Sequence, residues 1–267
     1  MNRRLRIGSI AWAFVTVVAF GARAQDADRA PSGAATSSLP LSDARNQTPR
    51  LAFTDPGFGL SAASIGVAGF ATARGAADRS AQQPQATGGF ELFGSPLQRL
   101  TLVGIAERVF DGPWRPTATA LVRVLGGREQ GWALGALARY KADGFAEIEG
   151  EIELGAMLAL ARGGWHLDIN AIVGTGLEES EADAEGKLRF GFDLSEWMRV
   201  GLDGQLRYRL TGERLLAGGR SWDAIVGPQL LGAYKNLYGA LTAGPSTVDI
   251  VSKVGWSTIL TAGGVTL

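Results

Sequence analysis

The alternation of side chains between Glu147 and Leu160 limits the folds open to this chain more than any other feature. Odd positions begin Glu147, Glu149, Glu151 and Glu153, while even positions read Ile148, Gly150, Ile152, Leu154, Ala156, Leu158 and Leu160. Successive side chains of a β-strand point to opposite faces, so an extended segment has one apolar face and one that starts with carboxylates. Wound as a helix, the same carboxylates would spread around the axis and the apolar residues would form no stripe. The alternation recurs along the chain. Trp165, Leu167, Ile169, Ala171 and Val173 oppose His166, Asp168 and Asn170; Leu188, Phe190, Phe192 and Leu194 oppose Lys187, Arg189 and Asp193. Met198, Val200, Leu202, Leu206 and Leu210 oppose Arg199, Asp203, Gln205, Arg207 and Arg209. Trp132, Leu134, Ala136, Ala138 and Tyr140 oppose Ala133, Gly135, Leu137, Arg139 and Lys141.

Such dyads suit a soluble antiparallel sheet with an apolar core, or a membrane barrel with an apolar exterior and a polar lumen. The connections separate the two. Tight ones fall near Ser95-Pro96, Gly126-Gly127, Gly163-Gly164, Ser195-Glu196 and Lys235-Asn236. They alternate with others, several of them longer: Arg74 to Gly88, Asp111 to Pro116, Leu177 to Ala182, Thr211 to Ser221 and Gly244 to Lys253. Ala142-Asp143-Gly144 is short but falls on the long-loop side. Short turns at one end and long loops at the other are the habit of membrane barrels. Aromatic residues gather at both levels: Trp132, Trp165, Trp197 and Tyr234 by the short turns, and Tyr140, Phe145, Trp222 and Trp256 by the loops. Trp132 and Tyr140, on one strand, are separated by roughly 20 Å of membrane at strand rise and barrel tilt, near the ~25 Å apolar band of such barrels. The expected fold is all-β, a transmembrane antiparallel up-and-down β-barrel of about twelve strands.

On these dyads, girdles and turn alternation, the span from about Ser61 to Leu267 resembles the Gram-negative outer-membrane β-barrel class. The resemblance is architectural, with no family-specific motif behind it. It implies residence in the outer membrane among lipid and lipopolysaccharide, and insertion by the barrel assembly machinery. That machinery usually reads a terminal aromatic residue, where this chain has Leu267. The implied function is a porin-like channel, or a closed relative of one, passing small polar solutes through a charged lumen. Two other readings stay open: a structural or surface-presenting barrel plugged by its own side chains, and a soluble secreted barrel with its greasy face inward around a ligand.

The barrel is expected over residues 58–267, preceded by two other segments. Residues 1–24 carry Arg3, Arg4 and Arg6, an apolar stretch from Ile7 to Phe20 and then Ala22-Arg23-Ala24, the pattern of a cleaved signal peptide. Residues 25–57 are rich in Ala, Ser, Pro and Asp and poor in large apolar groups, so they are read as a flexible periplasmic tail. Removing Met1 to Ala24 takes away four Arg and no acid, leaving 22 basic against 26 acidic residues, a net of −4. An acidic chain of this kind is a poor partner for nucleic acid. The absence of cysteine excludes disulfides, thiol catalysis and cysteine-ligated metal, and the single histidine, His166, leaves no His-rich site. No cofactor, metal or enzymatic activity is expected. Barrel lipases and deacylases pair a histidine with a serine, whereas His166 and Asp168 share the lumen face and no serine adjoins them. His166 is read as a lumen histidine hydrogen-bonded near Asp168.

The charged lumen is the candidate site. Its expected lining is Glu147, Glu149, Glu151, Glu153, Arg139, Lys187, Arg189, Arg199, Arg207, Arg209, His166 and Asp168. A short hairpin at Ala142-Asp143-Gly144 places Arg139 opposite Glu147, Leu137 opposite Glu149, and Gly135 and Ala133 beside Glu151 and Glu153. Three strands further round, across a chord of roughly 17 Å, stand the arginines at 199, 207 and 209. Long Glu and Arg side chains nearly close that span. The arrangement fits an ion-pair network filling the lumen, a charged eyelet that selects solutes by field, or a divalent-cation site. The acidic run Glu178, Glu179, Glu181 and Asp183 is read as a solvated external loop.

Overall fold

The computed structural model describes residues 54, 55, 57, 58 and 65–266 apart from 77–84, 110–111, 145–149, 179–180, 212–221, 235–236 and 249–253, and only the backbone of residues 72–76, 85–86, 109, 222–223, 246–248 and 254–266. The signal segment, the tail up to residue 53, and Phe145, Glu147, Glu149 and Leu267 therefore lie outside the described residues. Among the described residues twelve strands follow one another: β1 Ile65–Ala76, β2 Gln85–Leu97, β3 Leu100–Val109, β4 Trp114–Gly127, β5 Trp132–Ala142 and β6 Gly150–Arg162. The second half comprises β7 Trp165–Gly176, β8 Ala182–Ser195, β9 Met198–Thr211, β10 Trp222–Tyr234, β11 Leu237–Val248 and β12 Val254–Thr266. Each pairs antiparallel with its neighbours in sequence, and β1 pairs with β12, so the sheet closes without a free edge.

Turn chemistry explains the tight end. Gly163 and Gly164, at φ 58° and 84°, form the two-residue link between β6 and β7. Two consecutive positive φ angles suit the primed turn whose twist matches its strands, and glycine enters that region without a Cβ clash.

The outward face is apolar. Leu154 and Val173, cross-strand neighbours, are 61% and 54% exposed, and Leu188, Leu202, Leu230 and Leu241 continue the band. Trp165 stacks on Phe190 with ring centroids 5.1 Å apart, and Trp132, Trp197 and Tyr234 are exposed at the same end. At the other end Trp114 lies 5.7 Å from Phe90, and Tyr140 is half-buried on β5. Trp222 and Trp256 sit on β10 and β12 at that end, where only the backbone is described.

Inside, the barrel has two unlike sectors. The sector from β5 to β9 carries most of the buried charges, including Arg139, Glu153, Asp168, Lys187 and Arg189, while Glu91 on β2 is a buried carboxylate outside it. The remainder is filled by Ala68, Phe93, Val103, Ile105, Leu121, Ala233 and Tyr238, which meet Leu137, Met157 and Ile172. The interior is thus half apolar instead of polar throughout. A barrel of this strand number is narrow enough for side chains to fill it, and the apolar sector does so.

The β5–β6 register differs from the sequence expectation. Arg139 pairs with Glu153, Lys141 with Glu151, and Ala142 with Gly150, which makes residues 143–149 the connection. The three-residue hairpin at Ala142 is therefore replaced by a longer link, in keeping with the other connections at that end. The short-hairpin register would leave Glu151 and Glu153 beside Ala133 and Gly135. The observed one sets each carboxylate opposite a cation, and a buried carboxylate is stable only when so paired.

Candidate functional site

The inward positions of β5 to β9 form a continuous network of charged and polar side chains. Arg139 on β5 is its hub. Its Nη1 donates to Glu153 at 2.9 Å and its Nε to the Thr119 hydroxyl at 3.0 Å, while Nη2 donates to both oxygens of Asp55 at 2.6 and 2.7 Å. Glu153, fully buried, also pairs with Lys141, which lies 3.4 Å from Glu151. Arg207 on β9 pairs with Asp183 and reaches Glu151 on β6 at 3.7 Å, three strands away across the interior. Lys187 pairs with Glu185 at 3.1 Å, and Arg189 with Asp168 at 2.6 Å.

Thr54, Asp55, Gly57 and Phe58 stand inside the barrel, in the middle of this network. Asn170 holds the backbone of Asp55 at both polar groups: its Oδ1 accepts from the Asp55 N–H at 2.8 Å and its Nδ2 donates to the Asp55 carbonyl at 3.1 Å. Thr54 donates to Asp203 at 2.8 Å, and Asp203 also accepts from Gln229 at 3.2 Å. The Gly57 N–H points at Asp168, 3.4 Å away, and Arg123 reaches the Phe58 carbonyl at 3.4 Å. The Phe58 ring packs on Ala133 and Ala159. Gly57 lies so close to the wall that a Cβ would come within 2.7 Å of the Ala159 Cβ. A flexible periplasmic tail is expected to run through Gly57. Its last described residues instead lie within the barrel, because Asp55 supplies a carboxylate to Arg139 and Phe58 an apolar group to a gap left by alanines.

On the loop side of Arg139 the barrel opens into a cavity of about 470 Å³, lined by both signs of charge: Lys141, Arg207 and Arg209 among the cations, Glu151, Asp183 and Glu185 among the acids. Arg139 and Lys187 also line it, and Asp55 does not. Nearer the short turns a second cluster fills the interior. His166 Nε2 lies 2.9 Å from Asp193 and 2.8 Å from Arg199, whose Nε donates to Asp193 at 2.7 Å. Asp168, expected as the neighbour of His166 on the same face, is engaged by Arg189. The β7–β8 pairing puts Gly191 opposite His166 and Arg189 opposite Asp168, so the nearest carboxylate to the ring is the next inward residue of β8, Asp193.

No protein-family model and no curated protein matches the sequence. Solved structures do. An outer-membrane channel from Pseudomonas putida F1 superposes with a TM-score of 0.55 at 11% identity, over 76% of this chain and 95% of that one. The KdgM porin, solved in complex with a disordered oligogalacturonate, gives 0.51 at 7% identity, over 74% and 98%. The fold is that of a Gram-negative outer-membrane β-barrel.

Several members of the network are not among the residues expected from sequence. Asp183 and Glu185 lie on β8, inward, and Asp183 is not part of a solvated loop. Their signal was present, since Asp183, Glu185, Lys187 and Arg189 keep one strand parity. Asp193 and Asp203 carry the same signal. Thr54 and Asp55 carry none, because their partners are far along the chain: Asp203 at a separation of 149 residues, and Asn170 and Arg139 at 115 and 84.

Proposed function

We propose that this protein is an outer-membrane channel for small polar solutes whose charged interior is closed at mid-barrel by Thr54, Asp55, Gly57 and Phe58. The observation that carries the reading is the water-accessible cavity lined by paired charges of both signs inside an apolar-walled barrel. A structural barrel needs no such cavity, and a soluble ligand carrier would not turn Leu154, Val173 and Leu188 outward. Charged side chains facing a narrow lumen select ions by field, so the strip from Glu151 to Arg207, which carries both signs of charge, serves as the selective constriction once the segment below moves aside. Residues 1–24 act as the export signal, and residues 25–53 form a tail leading to the barrel. Its surroundings are outer-membrane lipid and lipopolysaccharide, reached through the barrel assembly machinery. The fold resembles that of channels and porins, and its histidine is engaged in a structural cluster.

Planar-bilayer recording tests this reading. The full chain is expected to conduct weakly or in brief openings, and a deletion of residues 54–58 to conduct several-fold more. Silent bilayers from both proteins, each shown to be folded by its heat-modifiable gel shift, would overturn the channel assignment.

A further inference from the structure

We propose that Arg139 and Lys187 form a carboxylate-binding site for the channel's solute, and that Asp55 occupies it in cis as a tethered stand-in. The inference rests on the channel reading for its consequence in transport. The geometry is that of a ligand site already filled. Arg139 Nη2 contacts both carboxylate oxygens of Asp55, at 2.6 and 2.7 Å, and Lys187 interacts electrostatically with the same group. One nitrogen thus meets both oxygens, a contact that a two-oxygen group such as a carboxylate makes and a monatomic anion does not. The rest of Arg139 is fixed by Glu153 and Thr119, so the guanidinium is held in place independently of Asp55. Both cations also line the 470 Å³ cavity on their other side, which is where a solute from the loop end arrives.

Asp55 differs from the other carboxylates of the network in one respect. Glu153, Asp168, Asp183 and Glu185 belong to the barrel wall, whereas Asp55 belongs to a segment outside the twelve strands, whose described residues are engaged by Asn170, Asp203, Asp168 and Arg123. It is the displaceable partner. A solute carboxylate that takes its place at Arg139 removes the ionic hold on the segment, so binding and opening become linked, and the bound state selects the open barrel. The solute class that follows is a small organic acid, compact enough for the cavity and with polar groups to meet its mixed charges.

Isothermal titration calorimetry of the full chain in detergent micelles, with succinate as probe at fixed ionic strength, tests the assignment. Wild type is expected to bind weakly, because Asp55 competes at very high local concentration. Asp55→Ala is expected to bind at least tenfold more tightly, and Asp55→Ala combined with Arg139→Gln to return to the wild-type level. Asp55→Asn, which keeps the shape and drops the charge, serves as a second variant if the alanine protein does not fold, with an expected gain of several-fold. Equal affinity in wild type and the Asp55 variant, or no loss on removing Arg139, overturns the proposal. Sulfate binding the variant as tightly as succinate would also overturn it, since the site would then hold anions by charge alone. Calorimetry reads binding without current. A barrel that never conducts would still show the affinity change, so failure of the channel reading and failure of the carboxylate site are distinguishable.

Discussion

The register between β5 and β6 decides which glutamate neutralises Arg139, and a double-mutant cycle reads it directly. In the structure Glu153 has no solvent exposure and accepts from Arg139 at 2.9 Å, on a guanidinium that is itself buried. Breaking a buried ion pair from one side costs about 3–5 kcal/mol, because the other charge remains desolvated. Here the loss is partly offset, since Arg139 keeps Asp55 and Glu153 keeps Lys141. A coupling of about 2 kcal/mol between Arg139→Gln and Glu153→Gln is therefore expected, roughly thirty-fold in the folding equilibrium. The parallel cycle of Arg139→Gln with Glu147→Gln is expected to give less than about 0.5 kcal/mol, the level seen for residues without shared contacts. Urea titration of the refolded barrel in micelles, followed by tryptophan fluorescence and by the heat-modifiable gel band, measures both. Coupling to Glu147 that equals or exceeds coupling to Glu153 would restore the short hairpin at Ala142 and refute the argument that opposite charges set this register.

The other expectations concern the internal segment, the outer face and the constriction. Gly57→Val places a branched side chain where even a Cβ lies 2.7 Å from Ala159. Overpacking of this kind costs about 1–3 kcal/mol, so the segment is expected to leave its seat and raise conductance while barrel melting stays unchanged; wild-type conductance in this variant would count against the segment as the closure. Val173→Arg puts a charge on the lipid side at a residue 54% exposed, with an expected cost of ~2–4 kcal/mol if near the midplane, read as a fall in yield of the folded band; assembly equal to wild type would reverse the face assignment. Arg207→Gln removes the cation that faces Glu151, Asp183 and Glu185. The reversal potential in a KCl gradient is expected to move toward cation preference, and an unmoved potential would place the constriction elsewhere.

Strand number and strand polarity were legible in the sequence because each depends on local periodicity. A residue's face follows from its parity along a strand, so Asp168, Lys187, Arg189 and Arg199 point inward as their positions in the dyads require. Leu154, Val173 and Leu188 point outward by the same rule. The alternation of short and long connections is also a local property, carried by turn residues such as Gly163 and Gly164.

Pairing is not local, and only the tertiary structure decided it. Which carboxylate meets which cation depends on register, and a slip that preserves parity leaves every face unchanged while changing every partner. Glu153 thus stands opposite Arg139 where Glu147 was expected, and Asp193 is the carboxylate that bonds His166, while Asp168, its neighbour on the same face, is taken by Arg189. The division of the interior into a charged and an apolar sector arises only when β1 closes on β12 and Phe93, Leu121 and Met157 meet inside the barrel. The seat of Thr54, Asp55, Gly57 and Phe58 is the extreme case. Those residues have neither periodicity nor a nearby partner, and what holds them is a pocket assembled from β4, β5, β6, β7 and β9, which exists only once the barrel has closed around them.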